Sequence, residues 1–121
     1  MAEILIIDDN DAILHVMSRI LQKQGYAVAA AKTGREAIDK ISRKPFNLAI
    51  VDLNLPDING IELQKIIRAR SATTKTIILT GLPPQKSEET ASSGEPIRIL
   101  MKPLTAEELI SEVRQALNNK P

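Results

Sequence analysis

The sequence predicts an α/β fold: a doubly wound parallel sheet of five strands with helices on both faces. Three observations carry this. Short aliphatic runs, such as those at 48–51 and 77–79, alternate with stretches whose apolar residues fall three and four apart. The short runs are continuously apolar, as strands covered on both faces are. Five such units fit in 121 residues, about half of what an eightfold barrel needs.

The first strand is the run at 3–8, "EILIID". Ile13, Leu14, Met17, Ile20 and Leu21 then recur at helical spacing, and Gly25 supplies a stop. Residues 26–31 read as a short, weak strand. "TGRE" at 33–36 matches a capping box, with Thr33 as cap and Glu36 at the third helical position. That helix runs through Ala37, Ile38 and Ile41 and ends before Pro45. The third strand is 47–52. Ile61, Leu63, Ile66 and Ile67 mark the next helix, which ends near Arg70. The fourth strand is 75–80 and the fifth 97–101. In the last helix Thr105 and Glu108 form a second capping box, and Leu104 and Leu109 stand where a hydrophobic staple would place them. Leu109, Ile110, Val113 and Leu117 give this helix its apolar face. Between 83 and 96, "PPQKSEETASSGEP" offers only Ala91 as an apolar side chain besides its prolines. A helix there has no stripe to bury, so the segment reads as a short polar helix or a mobile loop. No internal repeat or linker is found, and residues 1–121 read as one domain, whole or cut from a longer protein. Strands alternating with helices imply right-handed crossovers, and the count fits the flavodoxin-like order 2-1-3-4-5.

Composition excludes several classes. With no cysteine there is no disulfide framework, iron–sulfur cluster or thiolate zinc site, which fits a reducing, cytoplasmic setting. No apolar run approaches the roughly 18 residues of a membrane span. "MAEILIIDD" lacks the basic flank and cleavage site of a signal peptide. A formal net charge of +1 leaves no electrostatic footprint for nucleic acid.

Two of the most apolar strands end on acids: the first on Asp8 and Asp9, the third on Asp52. Buried carboxylates are costly unless something positive completes them, and a cation from outside the chain is the expected complement. In a doubly wound sheet ligands bind at the carboxyl ends of the strands, where the strand order reverses. There the fourth strand would bring Thr80 and the fifth Lys102 to the same edge. Clustered carboxylates suit a hard divalent ion such as Mg²⁺. An Asp can attack phosphorus to give an aspartyl phosphate, while a lysine and a hydroxyl share the phosphoryl charge.

These residues resemble the receiver domain of bacterial two-component response regulators. The likeness covers nearly the whole chain and rests on Asp8–Asp9, the "VDLNLPDING" block around Asp52, Thr80 after an aliphatic strand, and Lys102–Pro103. It implies that Asp52 accepts a phosphoryl group from a histidine kinase or histidine phosphotransfer protein. It implies that Asp9, Asp52 and the backbone carbonyl of Asn54 hold Mg²⁺ (Mn²⁺ being the alternative ion), with Asp8 assisting through water. Thr80 and Lys102 would contact the phosphoryl group, and the Lys102–Pro103 bond would be cis. The likeness also implies a docking surface for the phosphodonor, with Ile13, Leu14, Met17 and Pro103 as contacts. The implied state is a monomer or a weak, phosphorylation-linked dimer, with no nucleic-acid or membrane contact. Two positions depart from the pattern. The switch position carries Ile99 where the family has Tyr or Phe, and the fourth helix is the polar 83–96 segment. Both bear on output rather than on phosphorylation.

Two other readings fit these residues less well. An interaction module that works without phosphorylation would suit Ile99 but leaves the complete acidic set unexplained. A phosphatase of the haloacid-dehalogenase type would carry a second Asp two residues after its nucleophile, where this chain has Asn54. His15 falls opposite the apolar stripe of its helix and reads as solvent-facing. Lys65, Arg68, Arg70 and Lys75 read as charges that complement a helix C-terminus.

Overall fold

The computed structural model describes residues 2–81 and 98–118. Strands β1 (Glu3–Ile7), β2 (Ala27–Ala31), β3 (Leu48–Asp52), β4 (Lys75–Thr80) and β5 (Ile99–Met101) form one sheet in the order β2-β1-β3-β4-β5. Every pairing is parallel. Helices α1 (Asp11–Lys23), α2 (Gly34–Arg43), α3 (Gly60–Arg70) and α4 (Ala106–Asn118) complete the described elements. The predicted class and strand order are therefore those observed. The 83–96 segment, read as a polar helix or mobile loop, lies outside the described residues.

The side-chain period of a strand is two, so each apolar strand feeds both faces of the sheet. Leu5, Ile7, Ala49, Val51 and Ile78 join Ala37, Ile41, Leu63 and Ile67 in a core beneath α2 and α3. Their neighbours Ile4, Ile6, Ile50, Ile77 and Leu79 join Leu14, Met17, Leu21, Leu109 and Val113 beneath α1 and α4. Two faces filled from one set of strands explain why those strands read as unbroken aliphatic runs.

Helix ends follow local chemistry. Asn10 caps α1, its Oδ1 accepting from the Ile13 N–H at 3.0 Å. At the other end the chain reverses through Gly25, whose φ of 93° lies in the region glycine tolerates. In the last helix Glu108 N–H donates to Thr105 Oγ1 and Thr105 N–H donates to Glu108 Oε1, both at 3.0 Å, so both halves of the predicted capping box form. In α2 Thr33 accepts from Glu36 N–H at 3.1 Å, while the N–H groups of Gly34 and Arg35 go to Asp57, from a different loop.

The turn from β3 into α3 is closed by Gly60, whose N–H donates to Leu53 O at 2.7 Å. A Cβ at this glycine would stand 2.7 Å from both Asp52 O and Leu53 Cα. Those neighbours are backbone and cannot rotate away. Gly60→Ala is therefore expected to lower stability by about 2 kcal/mol, the cost of overpacking a tight site. A urea unfolding midpoint equal to that of the wild type would contradict this.

Candidate functional site

The strand order brings the C-terminal ends of β1 and β3 side by side, with Ile7 paired to Val51. The residues that follow are Asp8 and Asp9 on one strand and Asp52 on the other. Their carboxylate oxygens come within 4.8 Å of one another. Asp8 and Asp52 are buried, at 2% and 7% exposure, and Asp9 is exposed. Register explains how Lys102 arrives. Thr80 pairs with Met101, and the next N–H, that of Lys102, donates to Thr80 O at 2.7 Å. The Lys102–Pro103 peptide bond is cis. Lys102 Nζ then donates to Asp8 Oδ2 at 3.0 Å and to Asp52 Oδ1 at 3.2 Å. The first positive charge that completes the acidic site is thus the chain's own.

The two bridged carboxylates are used differently. Asp8 also accepts from Asn10 N–H through Oδ1 at 3.0 Å, so both of its oxygens are engaged. Asp8 is thus at once a turn residue and a member of the site. Asp52 takes Lys102 on Oδ1, with a longer 3.4 Å contact from Asn54 N–H, and its Oδ2 has no hydrogen bond among the described residues. Burial and the charge of Asp8 raise the Asp52 pKa, and the charge and hydrogen bonding of Lys102 only partly offset them. Burial works against the Lys102 ammonium, yet its hydrogen bond to Asp8 and the charges of Asp52 and Asp8 outweigh that and raise its pKa.

The donor set is all oxygen and acidic, as a hard divalent cation requires. Asp52 Oδ2 and the exposed Asp9 carboxylate are the oxygens left open toward such an ion. Asp8, already engaged at both oxygens, suits contact through water. Asn54 is exposed in the loop that follows β3. Thr80 is fully buried at the end of β4, one residue beyond Leu79, the register partner of Asp52. Ile99 is half-buried, pairs with Ile78, and packs on the core beneath α2 and α3.

Beside this site lies an apolar groove of about 290 Å³ between α1 and the chain after β5. Ile13, Met17 and Pro103 line it, together with Lys102. Leu14 is not among the lining residues and is buried in the core with Leu21 and Val113, a correction to the predicted surface; Met17, at 8% exposure about as buried, does line the groove. Leu14 stands at the centre of the helical stripe, which must face the sheet. Val16, 54% exposed, and Ala12 line the groove and were missed, because they lie off that stripe. Asp57 was also missed as a cap, since nothing near it in sequence signals a partner 23 residues away. His15 is exposed, as read.

Comparison with known proteins gives a consistent result. Residues 4–114 match the model of the response regulator receiver domain. The response regulator ArlR of Staphylococcus epidermidis is 31% identical over 121 residues, all of this chain and 55% of that protein. The acid tolerance regulatory protein ActR of Rhizobium meliloti is 31% identical over 112 residues, 93% of this chain and 58% of that protein. The chain thus spans little more than half the length of these curated relatives. Among solved structures, a CheY-like receiver domain protein from Methanospirillum hungatei superposes with a TM-score of 0.90 at 32% identity, covering 98% of this chain and 94% of that one. The chemotaxis protein CheY4 of Vibrio cholerae gives 0.86 at 31%, covering 97% and 99%.

The raised Asp52 pKa has a consequence for stability. Below the unfolded value of 3.8 the group is protonated in both states and contributes nothing. As pH rises through the window between 3.8 and the higher folded value, the unfolded chain releases its proton first, and folding stability falls. Asp52→Asn removes this loss and keeps the side chain's shape. It is expected to raise the melting temperature at pH 7 by a few degrees, about 4 °C for each kcal/mol in a domain of this size. The gain should vanish below pH 3.8. A variant no more stable than wild type at pH 7 would contradict the assignment.

Proposed function

The chain belongs to the family of response regulator receiver domains, and from that premise we propose that it is a phosphorylation-dependent signalling receiver with Asp52 as acceptor. One observation carries the reading: carboxylates from β1 and β3 meet the Lys102 ammonium at the carboxyl edge of the sheet. The donor would be a histidine kinase or a histidine phosphotransfer protein. In the transfer an Asp52 carboxylate oxygen forms the bond to phosphorus, the N–P bond of phosphohistidine breaks, and the imidazole leaves with a proton from solvent. Lys102 then faces the phosphoryl oxygens and stabilises the charge that collects on them. Thr80 would supply a hydroxyl to the same group. Mg²⁺, held by Asp9, Asp52 and the Asn54 carbonyl with Asp8 acting through water, would neutralise the phosphoryl charge when bound.

Docking of the donor is assigned to the groove beside α1. Its lining by Ile13, Val16, Met17 and Pro103 sets an apolar surface next to Lys102, so a helix carrying the phosphohistidine can bury its own apolar face there. Ile99 cannot report phosphorylation through a swinging ring, and its β-branch makes χ1 stiff. Output is therefore assigned to surfaces other than an aromatic switch.

The acceptor is tested with a small phosphodonor and Mg²⁺, followed by borohydride trapping and mass spectrometry. Label is expected on Asp52 alone and only with the metal present; equal labelling of Asp52→Asn would sink the assignment. Docking has a separate test. Val16→Asp places a charge in the groove and should slow transfer from a histidine phosphotransfer protein by roughly tenfold or more, the cost of about 1.4 kcal/mol at an interface. Labelling by the small donor should be unchanged. Equal loss with both donors would place the lesion in the site rather than in the groove.

A further inference from the structure

The loop between β3 and α3, residues 53–59, is held in three places. Its base is closed by the Gly60 N–H bond to Leu53 O, at 2.7 Å, and by a bridge between Asn54 and Asn59. Leu55 and Ile58 pack on the core beneath α2 and α3. Its tip is tied to another element. Asp57 Oδ1 accepts from Gly34 N–H at 2.9 Å and Asp57 Oδ2 accepts from Arg35 N–H at 3.0 Å. These are the first two N–H groups of α2, which otherwise lack intrahelical partners. A second observation at the same junction is steric. A Cβ built on Gly34 would collide with Ile58 Cγ2, and Asp57 Oδ1 would stand 3.4 Å away. Backbone therefore meets loop at a distance only glycine allows, and the carboxylate closes both donors at once. The N–H bonds from Gly34 and Arg35 also lower the Asp57 pKa, so the clasp carries its full charge at neutral pH.

We propose that Asp57 is a positioning residue for the metal site, clasping the 53–59 loop to the N-terminus of α2 and so fixing the Asn54 carbonyl relative to Asp52. This rests on the proposed role of Asn54 and Asp52 in holding Mg²⁺. Asp57 lies three residues after Asn54 and two before Asn59, inside the span that their bridge closes. A tip free to swing would rock that bridge and with it the carbonyl. Mg²⁺ demands near-ideal octahedral placement of its ligands, so it is sensitive to small displacements that leave the fold intact. The clasp also makes the start of α2 part of the site's frame, although the acidic cluster of Asp8, Asp9 and Asp52 includes no residue of α2.

A plain helix cap would share the stability effect but not the metal effect, and that separates the two roles. Thr33 caps the same helix through Glu36 N–H and, among the described residues, its side chain makes no hydrogen bond to the loop. Mg²⁺ binding is measured by calorimetry, and exchange of the Gly60 amide by NMR, each well below the melting temperature of the variant. Asp57→Ala and Gly34→Ala, lesions from opposite sides of one junction, are expected to weaken Mg²⁺ roughly tenfold, whereas Thr33→Ala stays within about twofold of wild type. Gly60 exchange should quicken in Asp57→Ala and not in Thr33→Ala. Equal Mg²⁺ affinity in Asp57→Ala and Thr33→Ala, with unchanged Gly60 exchange, would overturn the proposal. Should wild type itself fail to bind Mg²⁺, the proposed function falls, and Gly60 exchange alone decides whether Asp57 holds the loop.

Discussion

The bridge from Lys102 to Asp8 and Asp52 is the interaction on which the rest of this structure depends. Two carboxylates buried at the ends of adjacent strands repel each other and lose hydration, and neither cost is met by the aliphatic core around them. A single ammonium within 3.2 Å of both makes the arrangement tolerable. Every larger feature serves to bring those three groups together. The crossover through α2 carries the chain from β2 past β1 to β3, so that Asp8 and Asp52 end neighbouring strands. Parallel pairing of β4 with β5 then delivers Lys102 one residue beyond Met101 at the same edge. An antiparallel neighbour would send that residue to the opposite edge, and the bridge could not form.

Burial makes the edge of the sheet sharp. Residues up to Ile7 and Val51 belong to the two apolar cores, and the very next ones are charged. Asp8, at this boundary, is satisfied in short range. Asp8 accepts from Asn10 N–H, and Asn10 in turn caps α1. The first turn of α1 is thereby locked to the acid it stands over. Apolar groove, ammonium and acidic pair follow one another along α1 and the chain after β5 without an intervening layer.

How much of this could be read in the sequence depends on how local each signal is. Strands filling both cores leave continuous runs such as 48–51, and these announce themselves. The Thr105–Glu108 box is a matter of residues three apart, and both of its bonds form. The strand-end acids were legible because an acid at the end of an apolar run is rare. Signals failed where tertiary context decided. Leu14 and Val16 are both apolar residues of α1, yet rotation about the helix sends one into the core and the other toward solvent. Thr33 looked sufficient for the start of α2, while two of that helix's donors are taken by Asp57 across 22 and 23 residues. An aspartate after a proline in a turn is too common to betray such a bond.

Charge balance links the site's resting state to its proposed chemistry. Among the described residues, three carboxylates facing one ammonium leave a formal excess of two negative charges, the complement of one divalent cation. That excess is unevenly held. Lys102 engages the two buried acids, so the imbalance falls on exposed Asp9 and on the open oxygen of Asp52. A cation entering from solvent therefore first meets Asp9, which has no ion pair among the described residues, and it need not displace the ammonium to bind. Lys102 stays beside Asp52, where a phosphoryl group would add new negative charge. The same lysine that makes the acidic pair bearable at rest is thus in place to stabilise the modified state, because one position at the end of β5 answers to both charges.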